Sequence, residues 1–186
     1  MNLEDAEKVL GHEFRRHSKF INQIIKSLNL EKDAKILDVG TGRGVMAINI
    51  ALNGYPVITG EPEDHKWANW RKKVKKVKLN ELIEFRPFRA ENLPFENNFL
   101  DAIFLYNSLH HISDKRSTLT ECNRVLKKKG FLTIIELNKK GVEDVRKRYP
   151  SHCDAVDPRE YSENLPFSIR RIEGSTINAY IFKKFG

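Results

Sequence analysis

Three glycines at alternate positions, Gly40, Gly42 and Gly44, follow the apolar run Ile36-Leu37-Asp38-Val39, and an apolar helical pattern starts at once with Val45 and Met46. A strand, a glycine turn and a helix in that order make a loop for a nucleotide-type cofactor. Glycine permits φ > 0 and lets a ligand approach where any Cβ would collide. The helix start supplies unpaired N–H groups and a positive dipole end. In the dinucleotide pattern Gly-x-Gly-x-x-Gly, the third glycine would fall on Val45. The turn is therefore tighter, without a diphosphate-sized cradle. Asp38, just before the turn, suits a cationic ligand and would be unfavourable beside pyrophosphate. Glu61 closes the next apolar segment, about twenty residues on, where an acid accepts hydrogen bonds from ribose hydroxyls.

These residues need an alternating scaffold to hold them. Residues 3–28 have helical spacing, with Phe14, Phe20, Ile21, Ile24, Ile25 and Leu28 on one stripe and Gly11 dividing the stretch in two. Strands are predicted at 34–40, 56–61, 83–88, 100–106 and 130–137, with helices at 45–52, 64–79 and 115–128 between them. Pro87 assigns the third strand to an edge, and the apolar fourth strand belongs at the centre. A short helix over 142–149 and two closing strands, 167–172 and 177–182, complete the chain; Glu173-Gly174-Ser175 between them fits an antiparallel hairpin. The expected fold is α/β: a doubly wound, seven-stranded, mostly parallel sheet with helices on both faces. Ligands then lie at the carboxyl ends of the strands, near the topological switch point.

With 186 residues, 40% hydrophobic and 31% charged, the chain fits one domain. Residues 1–30 would form a helical lid, 34–137 the cofactor-binding core and 138–186 the substrate-side segment. No apolar run approaches the roughly 20 residues of a membrane span, and no signal-peptide layout opens the chain. Cys122 and Cys153 form neither a disulfide framework nor a zinc pattern, so a reducing cytoplasm is expected. His12 and His17, five apart, do not share a helix face, and no metal is expected. The net charge of +8 speaks to association rather than fold.

The segment from Ile36 to Gly44 resembles motif I of the class I S-adenosylmethionine-dependent methyltransferases. The likeness continues in order through Arg89-Ala90-Glu91-Asn92-Leu93-Pro94-Phe95, Phe99-Leu100-Asp101-Ala102-Ile103, Leu109-His110-His111-Ile112 and Glu121-x-x-Arg124-Val125-Leu126-Lys127 with Gly130. The resemblance implies S-adenosylmethionine as cofactor and S-adenosylhomocysteine as product. It also implies a Rossmann-like methyltransferase fold. Gly40, Thr41, Gly42 and Gly44 would approach the aminoacyl end, with Asp38 nearby. Glu61, beside Pro62, would hold the ribose. Ala90 and its neighbours would line the adenine, and Asn107 and Ser108 the methionine part. Two departures stand out. Arg89 replaces the usual acid before the alanine and has no acceptor, so it would stack on the ring or leave the adenine amino group to Glu91 or a carbonyl. Lys127-Lys128-Lys129-Gly130 replaces the usual Lys-Pro-Gly-Gly turn.

Methyl transfer is an in-line displacement that positioning alone can accelerate. A hydroxyl or amine acceptor would benefit from a general base, and His110 and His111 follow the fourth strand where one belongs. Tyr106 reads as a strand aromatic; it and His17, on the lid helix, are the candidate substrate contacts. A small-molecule acceptor is favoured. The alternatives are an RNA or protein methyltransferase using the face of 71–78, six basic residues in eight, or a non-catalytic cofactor-binding module. Against nucleic acid, Asn107-Ser108-Leu109-His110 lacks the Asn/Asp-Pro-Pro-aromatic pattern, and Cys122 lies within a helix. The basic face reads as solvated, and a lid is expected only from the N-terminal helix.

Overall fold

The computed structural model describes residues 1–63 and 69–186. Seven strands form one sheet in the order β3-β2-β1-β4-β5-β7-β6. Its strands are β1 Ile36–Val39, β2 Val57–Gly60, β3 Ile83–Phe85, β4 Leu100–Tyr106, β5 Leu126–Leu137, β6 Phe167–Glu173 and β7 Ile177–Lys184. The first five pair in parallel, while β7 pairs antiparallel with both β5 and β6. The seven-stranded expectation holds, with the closing hairpin turned back so that β7 lies inside β6. As expected, β4 is central and β3 is an edge. β3 stops before Pro87, which has no N–H for a further ladder bond.

Helices α1 Leu3–Leu10, α2 His12–Ser27, α3 Val45–Leu52, α4 Trp70–Lys76, α5 Lys115–Val125 and α6 Lys139–Arg146 flank the sheet. Alternation along the strands divides the core. Ile36, Val57, Phe104 and Ile181 join α2, α3 and α4 on one face. Leu37, Ile103, Leu132 and Phe182 join α5 on the other. This is the period-2 pattern of a sheet covered on both sides. The stretch 3–28 is indeed two helices, broken at Gly11.

Among the boundaries that differ from the expectation, those of three helices stand out. The helix predicted over 115–128 ends at Val125, because Leu126 takes extended angles and pairs with Leu100. Residues 127–130 then form an irregularity inside a long β5, since the parallel register resumes at Ala102 and Phe131. α6 runs three residues earlier than predicted, capped by the Asn138 side chain, which accepts from the Gly141 amide. Of the helix predicted over 64–79, the described residues are helical over Trp70–Lys76; residues 64–68, with Trp67, lie outside the described residues.

Candidate functional site

The glycine loop leaves β1 at the switch point, where β2 pairs on one side and β4 on the other. Gly40 has φ +94, and a Cβ there would stand 2.7 Å from that of Ser108. Only glycine lets the loop pass the end of β4 so closely. The Gly44 amide donates to the Thr41 carbonyl at 2.8 Å, closing the turn into α3. Glu61, 6% exposed, accepts the Gly42 amide at 2.9 Å. The acid after β2 and the glycine turn after β1 are thus one unit.

Asp38 lies beneath this unit. It is fully buried, on the Ile36 side of β1 that α3 covers. Its Oδ2 accepts from the Thr59 hydroxyl at 2.8 Å, and Thr59 meets the Thr41 hydroxyl at 2.8 Å. Burial pushes its carboxyl up to about 7; the Thr59 hydrogen bond opposes this, the Glu61 charge adds to it, and the Ala47 amide in the first turn of α3 opposes it.

Above the strand ends lies a cleft of about 1230 Å³. That exceeds the roughly 300–1,000 Å³ usual for one small ligand, leaving room for a cofactor and a second molecule. The loop side contributes Gly40, Thr41, Gly42, Glu61 and Pro62; the β3 side contributes Phe88, Arg89, Ala90 and Glu91. Tyr106, Asn107, Ser108, His110 and His111 line it from the end of β4. Every candidate named from the sequence except Asp38 and Gly44 therefore lines one cleft. Gly44 instead caps α3 in a left-handed conformation. Arg89 is exposed at the rim, and its backbone bridges to Asn92. The Arg89–Phe95 segment is held by Arg124, which donates to the carbonyls of Leu93 and Phe95 and pairs with Glu121 at 2.7 Å.

The roof has two parts rather than the one expected. His12, Glu13, Arg16 and His17 come from α2; Asp144, Val145, Arg148, Tyr149 and His152 come from α6 and the segment after it. Arg16 and Asp144 approach to 3.8 Å across the gap between the two helices. Glu13 pairs with Arg43 of the loop and, at 3.1 Å, with Lys73 of α4. Lys73 therefore does not belong to a purely solvated face.

Every described histidine lines this cleft, yet their roles differ. Both His17 nitrogens are engaged, Nδ1 with the Tyr106 hydroxyl at 2.6 Å and Nε2 with Thr176 Oγ1 at 3.0 Å. Burial, with help from Arg16, lowers its pKa to about 4, so the ring is neutral. Burial likewise holds the Tyr106 phenol above its ordinary range. This pair ties α2 to β4 and to the turn of the closing hairpin. His110 is different: Nδ1 lies 2.7 Å from Glu136 Oε2, while Oε1 of the same carboxylate accepts the Leu109 amide at 2.8 Å. The ring is thereby oriented, and Nε2 remains for chemistry. Glu136 escaped the sequence reading, although a carboxylate in the apolar run Thr133-Ile134-Ile135-Glu136-Leu137 is itself a signal. The α6 wall left no such signal.

The residues fit an adenosyl sulfonium cofactor. Asn107, in a left-handed conformation at the end of β4, has a buried side-chain oxygen with no hydrogen-bond partner. It lines the same cleft as the glycine turn, next in sequence to Ser108, which packs against Gly40. A buried acceptor left unpaired costs about 1–3 kcal/mol, and a ligand ammonium would satisfy it.

Comparisons with known proteins agree with this geometry. A family model described as "Methyltransferase domain" matches residues 37–134, and one described as "Ribosomal RNA adenine dimethylase" matches residues 4–55. The chain is 33% identical over 125 residues to a demethylmenaquinone methyltransferase of Thermotoga maritima, covering 67% of this chain and 52% of that protein. It is 26% identical over 133 residues to a ubiquinone/menaquinone biosynthesis C-methyltransferase of Cronobacter sakazakii, covering 70% and 53%. The chain thus spans about half the length of these curated relatives. An S-adenosylmethionine-dependent methyltransferase structure from Aquifex aeolicus superposes with a TM-score of 0.66 at 21% identity, covering 88% of each chain. The chain belongs to the methyltransferase-domain family, with the fold of the class I S-adenosylmethionine-dependent enzymes.

Proposed function

We propose that the chain transfers a methyl group from S-adenosylmethionine to a small molecule held in the same cleft. The unpartnered Asn107 oxygen, in the cleft that the glycine turn also lines, carries this reading, because it gives the ammonium of the methionine part a site. The backbone of residues 40–44 cradles the aminoacyl end. Glu61, already fixed by the Gly42 amide, accepts from the ribose hydroxyls. Ala90 and Phe88 bound the adenine side. The cofactor supplies an activated methyl on a cationic sulfur, which needs an aligned nucleophile and the exclusion of water.

His110 serves as the base. Glu136 holds Nδ1, so Nε2 receives the acceptor's proton, and the carboxylate stabilises the imidazolium that results. The acceptor class is supported by the lining, where Tyr106, Ile112 and Tyr149 add apolar and aromatic surface to the cleft that holds His110. The curated relatives are named for methylating quinone precursors, which supports a small ring-bearing acceptor here. Calorimetric titration tests the cofactor. Saturable binding of S-adenosylmethionine with none for NAD is expected, and the reverse result overturns the reading. Incubation of metabolite extracts with cofactor carrying a labelled methyl group then identifies the acceptor.

A further inference from the structure

We propose that His110, His152 and Cys153 form a binding site for a thiophilic divalent cation of the zinc class, on the cleft wall made by residues 109–111 and the segment after α6. One ring nitrogen from each histidine and the cysteine sulfur lie within 4.8 Å of one another. A shared zinc, at about 2.3 Å from sulfur and about 2.0–2.1 Å from nitrogen, sets its ligand atoms about 3.3–3.7 Å apart. The three groups need close by only about an ångström. Two imidazoles and a thiolate select zinc or another soft ion over magnesium or calcium.

The supports around the cluster are those a metal site uses. Glu136 stands behind His110 at 2.7 Å, the carboxylate–histidine arrangement that fixes the tautomer and orientation of a ligating ring. Arg146 donates to the His152 carbonyl at 2.8 Å and to Asp154 at 2.9 Å, holding the chain on both sides of Cys153. Cys153 is exposed, which gives a cation its way in. Three protein ligands leave a fourth position open. Binding releases the Cys153 thiol proton to solvent. It also takes the Nε2 lone pair of His110, so metal occupancy and deprotonation by that ring exclude each other. The chain separation between His110 and Cys153 hid the cluster from any spacing pattern.

Titration of the full chain with cobalt(II) alone tests the site, and it needs neither cofactor nor acceptor, so its failure would leave the methyl-transfer reading untouched. The expected result is one cobalt per chain, with visible ligand-field bands and a near-ultraviolet thiolate charge-transfer band, both removed by zinc. Cys153→Ser should abolish the charge-transfer band, whereas Cys122→Ser, at a fully buried thiol, should keep it. Glu136→Gln should weaken binding about 10–100-fold. No charge-transfer band, or the same band in Cys153→Ser, overturns the proposal. Circular dichroism of each variant confirms that the fold is retained.

Discussion

Two buried residues set opposing pH dependences. The Asp38 carboxyl rises from 3.8 to about 7 on folding. The folded chain then keeps a proton that the unfolded chain has lost, so stability falls as pH rises from about 4 to about 7. For this group alone the change is about 4 kcal/mol. The His17 ring falls from 6.5 to about 4. Here the unfolded chain takes up the proton first, so stability rises from about pH 4 to about 6.5, by about 3 kcal/mol. The two slopes nearly cancel. Urea midpoints between about pH 4 and 7 should therefore rise with pH in Asp38→Asn and fall in His17→Gln. Parallel profiles for the parent and both variants would contradict these assignments. Glu61 makes a different prediction, because it touches ligand and loop together. Glu61→Gln keeps an acceptor for the Gly42 amide but loses the charge, and hydrogen bonds to a charged group are worth about 1.5–3 kcal/mol against about 1 for a neutral one. S-adenosylmethionine should bind on the order of tenfold more weakly, with melting little changed. Unaltered affinity in calorimetry would remove Glu61 from the ribose.

Among the elements, α6 is where sequence and structure parted, and the reason is packing. Its start depends on Asn138 capping Gly141, and a Cβ on Gly141 would stand 2.0 Å from the Thr176 carbonyl in the β6–β7 turn. The helix is docked by the absence of a side chain, which periodicity does not register. The β1 turn was legible for the opposite reason, since strand, glycines and helix start are contiguous there. The switch point followed from strand–helix alternation, and with it the positions of Glu61, Ala90 and Asn107. His152 and Tyr149 reach the cleft only through the docking of α6. Gly141→Ala should therefore lower stability by about 1–3 kcal/mol, as overpacking does, despite the higher helix propensity of alanine. It should also displace Asp144, Val145 and Arg148 from the roof. The acceptor KM should rise while S-adenosylmethionine affinity holds, because the glycine loop is braced by Glu13 of α2 and Lys73 of α4. Equal losses for both ligands would show that α6 supports the whole cleft.

At the scale of the whole molecule, the question is what the +8 charge does. On α4, Arg71 stacks over the Trp70 and Phe85 rings at 4.4 and 4.9 Å, and Lys73 is committed to Glu13. Lys72, Lys75 and Lys76 are exposed, and none lines the cleft. A polyanionic substrate read by this face would have to extend from α4 past the Glu13–Arg43–Lys73 ion-pair group to reach the acceptor site. A small molecule meets no such obstacle between α2 and α6. Replacing Lys72, Lys75 and Lys76 together by Glu changes the net charge by six, from +8 to +2. If the face only solvates the protein, cofactor affinity and methyl transfer to the small acceptor should stay within about twofold, since all three lysines are exposed, none lines the cleft, and salt screens such charges. Any binding of the parent to RNA should then be non-specific and disappear between about 50 and 200 mM salt. If transfer to RNA were the reaction, the triple variant would lose labelled RNA product while keeping its cofactor affinity, and that outcome would move the substrate from the cleft to the α4 face.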